Sequence, residues 1–329
     1  MSGVRLQTVA RDEDGMRLDR WFGAHFPQLS FGALQKMIRT GQVRVDSGRV
    51  KTSTRLVAGQ QVRIPPIDAA VPLRSEPRTS PGDAEFLRRL ILYEDDDLYV
   101  FNKPHGLASQ GGSGTTRHMD GLLKSLPNRK GEAPRLVHRL DRDTSGCLVV
   151  AKTRAAAAHF GEVFKSRAAR KIYWAVVVGQ PQPKQGRISC FLLKRPGPHG
   201  DEQMIVVPDG TPDAVHSVTF YSTTDTAGRK FAWVTLKPMT GRTHQLRVHM
   251  AELGTPILGD PRYFNIENWE APEGLGGGLH LHARRITLPL RSGKTLDVSA
   301  PLPPHMVTTF EALGFDADRY DVQDIDPED

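Results

Sequence analysis

The densest polar cluster in the chain is LVHRLDRDTSG, residues 136–146, which stands directly before the apolar run CLVVAKT. It crowds two carboxylates, Asp141 and Asp143, among His138, Arg139 and Arg142, with Thr144, Ser145 and Gly146 behind them. Two readings compete. Asp143, Thr144 and Ser145 can form an Asx-type turn that launches a strand, with Asp141 in a surface ion pair. Alternatively, an ionised carboxylate at the mouth of a strand can act as a nucleophile or as a stabiliser of developing positive charge. A carboxylate buried alone tends to protonate, and a guanidinium a few ångström away favours its charged form.

A metal centre is the other chemistry worth testing. His138, His244, His249, His280 and His282 cluster around the polar segments, but His244 and His249 are five apart on the predicted helix, a poor pairing for one ion. The chain has neither an HExxH nor a CxxC pattern. GGSG (111–114) and GLGGG (274–278) lack the Lys-Ser/Thr of a phosphate-binding loop and the strand–helix setting of a dinucleotide fingerprint. No metal and no cofactor is expected.

These side chains need elements to position them. Residues 154–168 read as a helix after the strand 147–153, and 171–179 as a strand carrying Tyr173, with Ile172, Trp174 and Val176 on its opposite face. Residues 243–254 read as a helix. Thr243 can cap it, Leu246, Met250 and Leu253 form its apolar stripe, Arg247 lies beside that stripe, and Gly254 ends it. Further strands are expected at 186–193, 203–208, 214–223, 231–237 and 280–290. Strands are many, helices few, and the two do not alternate, so the fold class is α+β with a mixed, mostly antiparallel sheet.

The N-terminal part is different. Leu18, Trp21, Phe22 and His25 fall at helical spacing, Pro27 ends that helix, and Ser30 caps a second one bearing Phe31, Leu34 and Ile38, closed by Gly41. Short strands follow at 43–45 and 61–64. Arg17, Arg20, Lys36, Arg39, Arg44, Arg49, Lys51 and Arg55 crowd this small unit. Their charges are either a solvated face or a grip on RNA phosphates. The division expected is a mobile N-terminus at 1–15, the small α/β unit at 16–65, a proline-rich linker at 66–84, a large domain at 85–311 and an acidic C-terminal tail at 312–329.

Composition points to the same partner. The chain of 329 residues carries 44 Lys and Arg against 37 Asp and Glu, a net charge of +7. Seven of those acids lie from residue 312 onward, so the preceding body is more basic than the total. Such a body favours polyanions, nucleic acid first, with membrane lipid and acidic protein as the alternatives. Two cysteines make no disulfide framework. There is no apolar signal core at the N-terminus and no run long enough to span a bilayer. A cytoplasmic monomer with no membrane and no DNA partner is expected.

The motifs carry a family resemblance. HRLDRDTSG resembles the hallmark of RluA-type pseudouridine synthases, KIYWAVVVG resembles their tyrosine segment, and GRTHQLRVHMAELGTPILGDPRY resembles their third motif, in the family's order. FNKPHGLASQGGSG and LHA add support, and the matches span roughly residues 90–300. The resemblance implies an isomerase that turns uridine into pseudouridine in RNA without a cofactor. It makes Asp141 the catalytic carboxylate, Arg247 the arginine that pairs with it, and Tyr173 the ring that stacks on the flipped uracil, its hydroxyl a second candidate for proton removal at C5. Arg139 becomes the residue that fills the gap left by that base, with a structural salt bridge as the alternative. Leu281 is either a floor beneath the uracil or plain core. The GGSG loop and HRLDRDTSG look most like the RluC-like branch, which acts on large-subunit (23S) ribosomal RNA. Residues 17–64 resemble the S4 RNA-binding domain. The same chemistry on transfer RNA, or an idle RNA-binding assembly factor, are the alternatives, and the trio Asp141, Tyr173 and Arg247 argues against idleness.

Overall fold

The computed structural model describes residues 4–67, 80–111, 115, 117–128, 131–197, 202–264, 266 and 269–320. The chain divides into two compact units, Met1–Glu76 and Pro77–Asp329.

In the first unit β1 (Arg5–Thr8), α1 (Leu18–His25), α2 (Phe31–Arg39), β2 (Arg44–Val45) and β3 (Gln61–Ile64) follow in order. The antiparallel sheet runs β1-β3-β2. Both helices lay apolar stripes over it, so Leu18, Trp21, Phe22, Leu34, Val43 and Val62 share one core. The Ser30 hydroxyl accepts from the Ala33 amide at 3.3 Å and starts α2, and Gly41, at φ +72°, lets the chain turn after it. Residues 1–15, expected to be mobile, contain β1. Its side chains are mostly exposed, so it has no apolar face to read in the sequence; backbone pairing to β3 holds it.

The second unit opens with α3 (Pro81–Arg89), β4 (Ile91–Glu94), β5 (Leu98–Lys103), α4 (Met119–Leu122), β6 (Arg135–Leu136), β7 (Ser145–Ala151) and α5 (Arg154–Lys165). It continues with β8 (Arg170–Val178), β9 (Gln185–Pro196), β10 (Glu202–Val207), β11 (Val215–Ala227), β12 (Phe231–Pro238), α6 (Gln245–Glu252), β13 (Leu281–Pro289), β14 (Thr295–Ser299) and α7 (Pro304–Leu313). The strands form one sheet in the order β10-β9-β11-β12-β8-β13-β7-β5-β4, with β14 on β13 and β6 on β7. Every pairing between these strands is antiparallel except β13 with β7, which meet in parallel at His282–Ser145 and Ala283–Gly146. The α+β sheet is thus mostly antiparallel. β7 is buried along its whole length and lies next to the crossing that sets the acidic turn.

The linker and the tail both need correction. Residues 66–84 were expected to be extended, but Ser80 starts α3: its amide donates to Asp83 at 2.7 Å, and Pro81 occupies the first helical turn, where its missing N–H is not needed. Residues 68–79 lie outside the described residues, as do 112–114 of the GGSG loop. Residues 312–320 are not a free acidic tail. Phe315 and Tyr320 close on Trp233, with ring centroids 6.0 and 5.4 Å away, so aromatic packing draws the chain onto the sheet despite its charge. Residues 321–329 lie outside the described residues. No described helix is long and apolar enough to cross a membrane.

Candidate active site

The acidic turn is fixed from both sides before any ligand is considered. The His138 ring, stacked on Phe164 at 4.3 Å, accepts the Val149 amide through Nε2 at 2.8 Å. Burial drives its pKa down to about 3, so it stays a neutral acceptor. Ser109 closes a reciprocal pair with Leu140, its hydroxyl donating to the carbonyl at 2.6 Å and accepting the amide at 3.0 Å. Fully buried Lys103 spreads its three protons over the carbonyls of Pro104 (2.9 Å), Leu107 (2.7 Å) and Arg142 (3.1 Å). Burial brings that lysine down to about 7, against the pull of Asp143 and Asp141. The turn closes with the Thr144 amide donating to the Asp141 carbonyl at 3.2 Å. A turn launching β7 is therefore present, and it also aims Asp141 into a cleft.

That cleft brings together all the residues weighed for it. Asp141, Arg139, Tyr173, Arg247 and Leu281 all border it. Tyr173 is half-buried on β8, while its neighbours Ile172, Trp174 and Val176 pack into the opposite core with Trp233 and Phe310. Burial, and then the charge of Asp141, push its phenol well above the usual range. A phenol held protonated suits stacking and hydrogen-bond donation better than proton removal. Arg139 is exposed at the rim and has no ion-pair partner among the described residues, so the structural salt bridge weighed for it is absent there. Leu281 is 3% exposed and serves core and cleft together.

Arg247 departs from expectation. Its two-pronged contact goes to Asp260, with Nε to Oδ2 at 2.7 Å and Nη2 to Oδ1 at 2.6 Å, and not to Asp141. Asp260 is buried and also accepts the amides of Arg262 (2.8 Å) and Tyr263 (3.1 Å), so its geometry was decided by the turn after α6. The guanidinium lies over the Tyr263 ring, 5.1 Å from the centroid. Burial is the largest influence and opposes its charge, but the hydrogen bonds and charge of Asp260, joined by the charge of Asp141 through space, together outweigh it. Arg247 therefore acts on Asp141 as a nearby charge rather than a contact. α6 differs too: Gln245 through Met250 are all buried, so there is no one-sided stripe, and the residue before the helix is His244, not Thr243.

His244 is a cleft residue that the motifs alone do not single out. It borders the cleft in a left-handed conformation (φ 52°, ψ 16°), which for a non-glycine residue costs about 1–3 kcal/mol. Its Nε2 lies 3.9 Å from Asp141 Oδ2 and its Nδ1 2.8 Å from Tyr263 Oη. Burial lowers its pKa; Asp141 opposes this, Arg247 and Arg262 reinforce it, and Asp260 opposes it. Its place three residues before Arg247 is a usable signal, but in the sequence it stands out only as a candidate metal ligand. Lys171 is likewise not singled out by the motifs. It borders the cleft, and no anion among the described residues lies within ion-pair distance of it. The remaining histidines have separate packing duties: His282 joins Ser145 (2.8 Å) to the Ala300 carbonyl (3.1 Å), and His280 joins Thr309 of α7 (2.8 Å).

The basic candidates of the first unit separate into groups. Lys36, Arg39, Arg49 and Lys51 border one concavity, and Arg44 borders another with Arg63. Arg17 is engaged by Asp19 at 2.6 Å and Arg55 by the Gly15 carbonyl at 2.8 Å, while Arg20 is exposed.

Comparison with known proteins gives consistent findings. Residues 97–252 match the family described as RNA pseudouridylate synthase, a span that holds Asp141, Tyr173, His244 and Arg247. The chain is 35% identical over 317 residues to ribosomal large subunit pseudouridine synthase C of Pasteurella multocida, covering 94% of each. It is 36% identical over 311 residues to the protein of that name from Escherichia coli K12, covering 91% of this chain and 93% of that one. Among solved structures, human RNA pseudouridylate synthase domain containing 4 superposes with a TM-score of 0.59 at 32% identity, covering 71% of this chain and 97% of that one.

Proposed function

The chain belongs to the RNA pseudouridylate synthase family, and on that premise we propose that it isomerises uridines of large-subunit (23S) ribosomal RNA, with Asp141 acting on the ribose C1′ of a flipped nucleotide. The observation that carries this reading is the cleft in which the Asp141 carboxylate, the Tyr173 ring and the Arg247 charge border one space.

The isomerisation breaks the N1–C1′ bond, turns the uracil and joins C5 to C1′. One proton leaves C5 and one is gained at N1, so no atom enters or leaves overall. A carboxylate supplies what C1′ needs while the base is detached, either a covalent partner or a negative charge beside a cationic sugar. A paired uridine reaches such a site only by leaving its stack, at a cost of a few kcal/mol. Arg139, exposed at the rim, is suited to occupy the vacated position. Tyr173 offers an aromatic face to the extruded uracil, and Leu281 an apolar one. The concavity of Lys36, Arg39, Arg49 and Lys51 supplies phosphate contacts of the kind that hold RNA without reading its sequence.

Asp141→Asn tests the central step, because it keeps the shape and removes the charge. Pseudouridine formation on ribosomal RNA should fall below detection while RNA affinity stays within about twofold, since chemistry and phosphate contacts are separate contributions. Turnover above a few per cent of the native rate would remove Asp141 from this role.

A further inference from the structure

His244 stands between the Asp141 turn and the segment that follows α6. One arrangement of protons satisfies all of its contacts. The Met204 amide of β10 lies 3.0 Å from Tyr263 Oη and can only donate, so the phenol oxygen accepts there. The single phenol proton can then point to His244 Nδ1 at 2.8 Å, and this pairing goes with one of the two imidazole tautomers. A neutral imidazole that accepts at Nδ1 carries its proton on Nε2, and Nε2 is the atom facing Asp141 Oδ2 at 3.9 Å. In that arrangement hydrogen bonds run from the β10 backbone through Tyr263 to His244, whose Nε2–H faces the carboxylate.

We propose that His244 is a positioning residue for Asp141, with its Nε2–H holding one carboxylate oxygen so that the other is presented to C1′. The proposal rests on the reading of Asp141 as the acting carboxylate. A separation of 3.9 Å exceeds a hydrogen bond. Such contacts are often long before substrate enters and tighten in the complex. The same hydrogen bonds give Arg247 a route to the chemistry. Its partner Asp260 holds the Tyr263 amide at 3.1 Å, and its guanidinium lies over the Tyr263 ring. Arg247 thus fixes the tyrosine that fixes the imidazole. The charged and titratable groups facing His244 are Asp141 from the turn before β7, Arg247 from α6, and Asp260, Arg262 and Tyr263 from the segment after it. The left-handed backbone at His244 is the strained feature expected where a side chain is held for function.

Two amide substitutions separate positioning from a structural role. His244→Asn favours the left-handed backbone and places its amide where Nδ1 stood, out of reach of Asp141. His244→Gln places an amide donor where Nε2 stood. Turnover of the full-length protein on ribosomal RNA should drop about tenfold to a hundredfold in kcat for His244→Asn and His244→Ala, the worth of one charge-assisted hydrogen bond in the transition state, with KM within about twofold. His244→Gln should recover most of that loss. Tyr263→Phe should lower kcat, and adding it to His244→Ala should cost nothing further. Native kcat in His244→Ala, Asn performing as well as Gln, or full additivity with Tyr263→Phe would each overturn the proposal. An inactive Asp141→Asn beside a normal His244→Ala would sink this inference alone; an active Asp141→Asn would sink the functional reading as well.

Discussion

At the scale of single residues, the site is governed by which carboxylate owns Arg247. Asp260 receives the guanidinium fork and two backbone amides, so it is the satisfied, buried partner. Asp141, with a side chain 21% exposed, remains free to meet a ligand. This division makes sense physically: a carboxylate already holding an arginine in two hydrogen bonds has few lone pairs left for a sugar carbon. It also separates two effects that a direct Asp141–Arg247 pair would merge. Arg247→Ala leaves the Asp260 charge buried without its cation, an arrangement that costs about 3–5 kcal/mol. The variant should lose turnover and lower the thermal unfolding midpoint together. Arg247→Lys keeps the charge without the fork and should recover only part of either. A native melting curve for Arg247→Ala would show that the buried pair contributes little.

At the scale of elements, the parallel crossing of β7 and β13 is what delivers the acidic turn to the cleft, and it depends on Gly146. That residue has φ +105°, and a Cβ there would meet the Ala283 carbonyl oxygen at 2.3 Å. Gly146→Ala combines backbone strain with a backbone clash, each costing about 1–3 kcal/mol, so the unfolding midpoint should fall by at least several degrees and turnover with it. A native midpoint would mean that the crossing is softer than its geometry implies. Elements with a strong local pattern could be read from the sequence. The apolar run of β7, the alanine-rich α5, β8 and β12 were found within a few residues of their bounds, because their burial is written into consecutive side chains. α3 was hidden because Pro81 reads as linker when its helix is not in view. β14 and α7 were hidden because five exposed–buried residues and a short threonine-containing stretch match no long period. Within the site, Asp141, Tyr173 and Arg247 could be recognised as motif residues. The Asp260 partner and the orientation of His244 could not, because both depend on how the thirteen residues after Arg247 fold back over α6.

At the scale of the whole molecule, the question is where a net charge of +7 does its work. Several cations of the first unit are engaged internally: Arg17 by Asp19, Arg55 by the Gly15 carbonyl, and Arg44 by the carbonyls of Gly41 and Ser47. Lys36, Arg39, Arg49 and Lys51 share one concavity instead. Each phosphate that a cation neutralises releases counterions, so its contribution is visible in the slope of log affinity against log salt, about 0.7–0.9 per contact. Replacing those four residues with Gln should therefore flatten the slope by about 3 and weaken binding most at low salt. The paired variant Arg17→Gln/Arg55→Gln should flatten it by less than 1, since each guanidinium is already engaged within the unit. Fluorescence titrations of both variants with ribosomal RNA across a salt series decide the matter. Equal slopes for the two would mean that the charge acts as a diffuse field over the unit, and that the concavity has no privileged place in the grip.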